Sequence, residues 1–239
     1  MLKLCHVNYT TFMTGHAILA VTPFWLLQFY LWKLVVIPRV DPKADAQLVA
    51  SHLTSWCHAT LTTVGSGWIL THPESALTTP TLLLLSSGYF VYDIYYMLRY
   101  HYSTMFIVHH LATLSVWYLC LVYQCGWELI LYTLFLGEYT NVIRIAWLLA
   151  KEFQVKGWTE WLDLGFKYNF LLARCVLAPV HLVYHLPSMV SLPMPWLFRL
   201  ILISAALTLL LGSWVWAKRV VHSLFGMTPV KTLQLAEQT

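Results

Sequence analysis

The sequence predicts an all-α polytopic membrane protein, a helical bundle of about seven transmembrane helices, and three observations carry that prediction. Only 10% of the 239 residues are charged while 59% are hydrophobic, against about 25% charged in a typical soluble domain. Apolar windows of membrane-spanning length recur seven times along the chain. Lys and Arg collect in alternate connections, which gives every window a direction.

At about 1.5 Å per residue, roughly 20 apolar residues cross the hydrocarbon core, and lipid-facing backbone must satisfy its hydrogen bonds within the helix. The first window, 15–37, exceeds the roughly 7 to 15 apolar residues of a signal-peptide core and is expected to stay in the mature protein. Pro38 and Pro42 close it. Windows 52–70 and 81–98 are separated by Pro73 and Pro80, windows 104–123 and 129–149 by Gly126. Gly157 precedes the sixth window, 164–185, and Pro187, Pro193 and Pro195 part it from the seventh, 196–217. Short connections favour antiparallel neighbours, and no repeat or separate soluble domain interrupts them.

Lys33, Arg39 and Lys43 flank the first connection, Arg99 the third, Lys151 and Lys156 the fifth, and Lys218, Arg219 and Lys231 follow the last window. The second, fourth and sixth connections hold no Lys or Arg. Since cytoplasmic loops are enriched in these residues, the amino terminus is expected outside or in a lumen and the carboxyl terminus in the cytoplasm. The sequon Asn8-Tyr9-Thr10 then falls on the lumenal side.

The formal charge of +4 is scattered rather than gathered into a basic block, so nucleic acid is excluded as an expected partner. Cys5, Cys57, Cys120, Cys125 and Cys175 show no C-x-x-C spacing and read as buried small hydrophobes. Trp25, Trp32, Trp68, Trp127, Trp158, Trp161 and Trp196 fall near window ends and read as interfacial anchors. The tail 227–239 is short and polar and carries no lipidation or retrieval motif.

Against this apolar background the ionisable residues inside the windows stand out, because each costs about 2.5 to 3.5 kcal/mol to insert. Measured from the predicted cytoplasmic end of each helix, His58, Asp93, His109, His110 and Arg144 lie at roughly 8 to 10 Å, with Glu138 and Arg174 near 15 Å. Asp93, Glu138, Arg144 and Arg174 cancel in formal charge, as pairing in low dielectric requires. The expectation is one cavity ringed by these groups. Glu138 and Asn141 share a helical face, and Thr113 is placed to hydrogen-bond either His109 or His110. Adjacent histidines diverge by about 100°, so one is free for chemistry while the other orients it. Packing alone is the competing account, with these groups as interhelical hydrogen-bonded pairs. His181 and His185 have ligand-compatible spacing, but they lie near the lumenal end, away from this layer, and no metal is expected.

Together these landmarks resemble the TLC-domain family, named after the translocating-chain-associated membrane protein, the longevity-assurance ceramide synthases and the CLN proteins. The resemblance runs from about His52 to Arg219. It rests on Ser51 to His58, Gly88 to Asp93, His109-His110 with Thr113, Gly137 to Asn141 with Arg144, and Asn169 with Arg174. It implies a six-helix TLC core with one additional N-terminal helix, dividing the chain into 1–50 (lumenal start, first helix, basic loop), 51–220 (TLC domain) and 221–239 (cytoplasmic tail). His109, His110 and Thr113 match the H-H-x-x-T pattern of ceramide synthases, which transfer an acyl group from acyl-CoA to a sphingoid amine. The second ceramide-synthase signature, with its His-Asp dipeptide, is replaced here by Leu136 to Asn141. That segment looks like the shorter TLC-domain proteins linked to membrane lipid composition.

Two functions follow. The first is a membrane protein of lipid homeostasis (sphingolipid or phospholipid) that binds or senses lipid through His58, Thr113, Glu138, Asn141, Arg144 and Arg174, without a resident cofactor. The second is an acyl-CoA-dependent N-acyltransferase with acyl-CoA as co-substrate and a sphingoid base as acceptor. There His109 or His110 acts as base or acyl carrier, Asp93 fixes the imidazole tautomer, and the arginines receive phosphate. The resemblance favours the endoplasmic reticulum, with other endomembranes or the plasma membrane as alternatives.

Overall fold

The computed structural model describes residues 11–74, 78–100, 104–192 and 194–226. They form seven helical rods and, among the described residues, no strand. Helix α1 covers 11–40, α2 Ala46–Thr71, α3 Thr79–Arg99, α4 Thr104–Tyr123, α5 Trp127–Glu152, α6 158–190 and α7 Trp196–Leu224. Cys5, the Asn8 sequon, Pro193, Lys231 and the tail from 227 lie outside the described residues.

Local chemistry sets the ends of these rods. The Asp45 carboxylate caps α2 by accepting from the Gln47 and Leu48 amides at 3.0 and 3.1 Å. Gly126 turns the chain from α4 into α5 at φ +77°, a conformation that side chains other than glycine rarely adopt. Two π-helical turns interrupt α1 and α6, at Trp32–Val36 and Leu172–Leu177. Each ends two residues before a proline, Pro38 and Pro179. A proline ring collides with the carbonyl four residues back, here that of Leu34 or Cys175, and widening the turn relieves the collision. The Ile37 and Ala178 amides accordingly donate five residues back, to Trp32 and Ala173.

Five rods are both long and apolar enough to cross a bilayer, Gly15–Val40 and α4 to α7; the chain is an integral membrane protein. Helices α2 and α3, at 26 and 21 residues, exceed the roughly 30 Å hydrocarbon thickness at about 1.5 Å per residue but are less apolar. The cause is a set of small hydroxyl residues buried at helix contacts: Ser51, Thr54, Thr62 and Ser66 on α2, Ser86 and Ser87 on α3. Thr54 and Thr62 donate back to the Ala50 and His58 carbonyls at 2.9 and 2.8 Å, which satisfies them inside their own helix while their small size lets neighbours approach.

The rods pack as a closed ring in the order α2, α3, α4, α7, α6, α5 and back to α2, with the α2–α5 seam the most extensive. Helix α1 lies outside, against both α3 and α2. Where it crosses α3 a Cβ on Gly88 would stand 2.9 Å from Val21 Cγ1 and 3.2 Å from the Thr22 backbone nitrogen, so α1 docks there because position 88 has no side chain.

Several sequence expectations shift. Helix α2 starts six residues before its apolar window, α6 extends it at both ends and α7 runs to Leu224, because helices continue into the headgroup region where hydropathy falls. Pro187 does not end α6 but sits inside its last turn. Trp25 is no interfacial anchor: it is 1% exposed, and its indole N–H donates to the Leu85 carbonyl at 3.0 Å. Cys120 and Cys125 are buried, but Cys57 is half-buried and Cys175 is exposed on the outer surface of the bundle.

Candidate functional site

The two adjacent histidines of α4 diverge as helix geometry demands, and their surroundings separate their roles. His110 turns toward α3, its Nε2 2.9 Å from Asp93 Oδ2. Its Nδ1 lies 2.8 Å from the Phe106 carbonyl oxygen, which only accepts, so Nδ1 carries a proton. The Asp93 contact then holds one further proton between carboxylate and imidazole. Both His110 nitrogens are thus engaged within the bundle.

His109 lines the internal cavity. Its ring meets Trp216 edge-on, centroids 5.5 Å apart, and among the described residues no hydrogen bond engages its nitrogens. Thr113 bonds neither imidazole, contrary to expectation. Its hydroxyl donates to the His109 backbone carbonyl at 2.9 Å, as helical threonines do when no closer partner competes.

His58 is sealed. It is 1% exposed, stacks on Tyr89 with centroids 3.8 Å apart, and shares a proton with Ser86 Oγ across 2.6 Å. Tyr89 in turn donates to Ser55 at 2.8 Å. The other His58 nitrogen stands 3.9 Å from Glu138 Oε2, an electrostatic contact too long for a hydrogen bond. The Phe90 ring touches both His58 and His110, at 5.6 and 4.5 Å between centroids, and so parts the predicted ionisable layer into two groups.

Glu138 faces the cavity with Asn141, whose amide donates to Oε2 at 3.2 Å. Arg174, in the π-turn of α6, completes this face. Its guanidinium donates to the Gly137 carbonyl at 3.1 Å and to Ser213 Oγ at 3.5 Å and lies over Phe170 at 5.8 Å. Its buried Nε has no partner, and among the described residues no carboxylate lies within 4.0 Å of it.

The cavity has an empty volume of about 1030 Å³ with its mouth included. His109, Thr113, Glu138, Asn141, Arg174 and Ser213 form its polar end. Along α6 the lining continues from Arg174 to Met189, 15 residues or roughly 22 Å of helix, between Leu134, Leu182, Leu202 and Leu209. Asp93, His58 and His110 stand behind the lining rather than in it. Arg144, also predicted as a site residue, does not line the cavity.

His181, set aside in the sequence as remote, lines the same cavity and lies 3.3 Å from the Leu129 carbonyl oxygen. Its ring packs on His185 at 4.4 Å. Among the described residues no group of three metal-ligating side chains forms. Sequence reasoning passed over Ser213, although a lone hydroxyl in the apolar run of α7 was a readable signal; Phe90 and Gly137 lay within the landmark segments but were given no part in the site.

In comparisons with known proteins, the family model described as the TLC domain matches residues 48–222. No curated protein and no solved structure matches the chain. The matched segment spans α2 to α7, the six rods that form the ring, and the chain belongs to the TLC-domain family.

Proposed function

We propose that the protein binds a membrane lipid inside its helical ring and acts through it in membrane lipid homeostasis. The observation that carries this reading is the chemistry of the cavity, a mainly apolar lining that follows α6 from Arg174 to Met189 and carries His109, Glu138, Asn141 and Arg174 at its polar end. Water alone would gain little from so long an apolar lining, whereas an acyl chain buries its methylenes there at about 0.8 kcal/mol each. In the orientation given by the Lys and Arg residues, the polar end belongs to the cytoplasmic half of the bilayer and the carboxyl terminus is cytoplasmic. The endoplasmic reticulum is the proposed membrane.

The test is lipid retention. The purified chain, delipidated and reloaded in detergent, should hold about one lipid by native mass spectrometry, and Ala206→Trp, which wedges an indole into the lining, should lose it while staying folded. A natural protein that takes up no lipid would overturn the reading.

A specific feature supports a second function, acyl transfer from acyl-CoA to a sphingoid base. His109 has free ring nitrogens at the polar end, where it could deprotonate an amine or carry the acyl group. Microsomes expressing the natural chain, His109→Ala and His110→Ala at equal levels decide it. A product that survives His109→Ala, or no product from a broad panel, removes this function.

A further inference from the structure

The cavity face carries one formal anion and one formal cation, and the two do not neutralise each other by contact. Among the described residues, Glu138 has one hydrogen bond, from Asn141, and no Lys or Arg within 4.0 Å; His58 Nδ1 stands 3.9 Å from Oε2, too far to hydrogen-bond. Arg174 is held away by Gly137, Ser213 and Phe170, with its Nε unpartnered. The nearby Asp93–His110 pair is already matched internally and lies outside the lining. Buried ions left short of partners are costly, so the site is complementary to a ligand that serves both.

A head with a single charge would satisfy one ion and leave the cavity with a net charge in low dielectric. A neutral head would leave both ions underserved. A head carrying an ammonium and an oxyanion donates to Glu138, accepts from Arg174, and leaves the total at zero. Shape sets the rest. On α6 the lining is one helical face, Arg174, Ala178, His181, Leu182 and Met189, a single track along which one chain can lie.

We propose that the ligand is a single-chain zwitterionic amphiphile, its ammonium at Glu138 and Asn141, its phosphate or carboxylate at Arg174 and His109, and its chain along α6 toward Met189. This rests on the lipid-cavity reading above. The Glu138–Arg174 pair then selects the head, while the apolar lining accepts the chain.

The experiment is a binding panel on the delipidated full chain in detergent, with one chain length throughout. The probes are lysophosphatidylethanolamine and an acylcarnitine (phosphate and carboxylate zwitterions), lysophosphatidic acid, sphingosine and a monoacylglycerol. The natural protein should bind a zwitterion at least about tenfold more tightly than the other three heads, a difference of about 1.4 kcal/mol, and the better zwitterion identifies the oxyanion. Glu138→Gln should move the preference to lysophosphatidic acid and Arg174→Gln to sphingosine. The double variant Glu138→Gln/Arg174→Gln restores neutrality and should bind all heads alike. Equal affinity for every head in the natural protein, or single variants with unchanged order, overturns the zwitterion proposal while leaving a lipid cavity. Binding of no probe overturns both. Should a single variant fail to fold, the natural protein's own order of affinities decides the question.

Discussion

Removing the Asp93 carboxylate with Asp93→Ala should destabilise the bundle, and the structure sets the size of the effect. The contact to His110 Nε2 is 2.9 Å long, and the two side chains are only 12% and 15% exposed, so solvent screens it little. A charge-assisted hydrogen bond contributes about 1.5 to 3 kcal/mol net, and cutting one partner of a buried pair costs about 3 to 5 kcal/mol. Because His110 keeps its bond to the Phe106 carbonyl, the lower end applies: about 3 kcal/mol for Asp93→Ala and a similar loss for His110→Ala. The double variant should lose less than the sum, with a coupling of about 2 kcal/mol, roughly thirtyfold in the unfolding equilibrium. Asp93→Asn is the informative control. Its amide can donate to Nε2 while Nδ1 keeps its proton, so the loss should be about 1 kcal/mol. Unfolding of the purified chain in mixed micelles, followed by tryptophan fluorescence, gives all four values. Additivity of the two alanine variants within about 0.5 kcal/mol would show that the pair does not act as a unit and would return His110 to the list of available bases.

Two further substitutions test the scaffold. Gly88→Val places a side chain where even a Cβ would meet Val21 at 2.9 Å; overpacking of this kind costs about 1 to 3 kcal/mol, and the expected result is lower thermal stability with α1 more open to protease while the six-helix ring persists. Pro179→Ala restores the missing amide and removes the cause of the π-turn, so α6 can close to regular α-helix. Dropping one residue from the bulge rotates its flanks by about 100° relative to each other. Lipid binding should fall several-fold with thermal stability unchanged or raised; unchanged binding would show that the π-turn does not place Arg174.

How far the site was legible depends on which physics each feature obeys. The seven rods follow from hydrophobic length, which is local and additive, and the divergence of His109 from His110 follows from helix pitch. The partition of the ionisable residues does not. Depth counted along each helix assumed that helices end where hydropathy ends. Helix α2 in fact begins at Ala46, which puts His58 deeper than Asp93 and opposite Glu138. Nor does a sequence show that Phe90 stands between the two groups, that Arg144 stays out of the cavity lining, or that Thr113 bonds its own backbone. Those outcomes depend on ring order and on the competition for hydrogen-bond partners, both set by tertiary packing. The two π-turns had a visible cause in Pro38 and Pro179, but their consequence for Arg174 required the register of α6 against α5.

The two charge pairs of the bundle show why stability and function are best argued separately here. Asp93 and His110 come from neighbouring rods of the ring and close to 2.9 Å; a contact so well matched holds α3 to α4 and offers nothing to a ligand. Glu138 and Arg174 also come from neighbouring rods, α5 and α6, with no difference in residue type that would forbid the same closure. They stay apart because the guanidinium is taken by the Gly137 carbonyl and Ser213, at the one place where α6 departs from regular helix. A scaffold shaped only for stability would gain by closing that gap, since an unpaired buried ion costs more than a paired one. If, as proposed, this open pair takes its partners from a bound lipid, closing it should stabilise the protein and weaken lipid binding together.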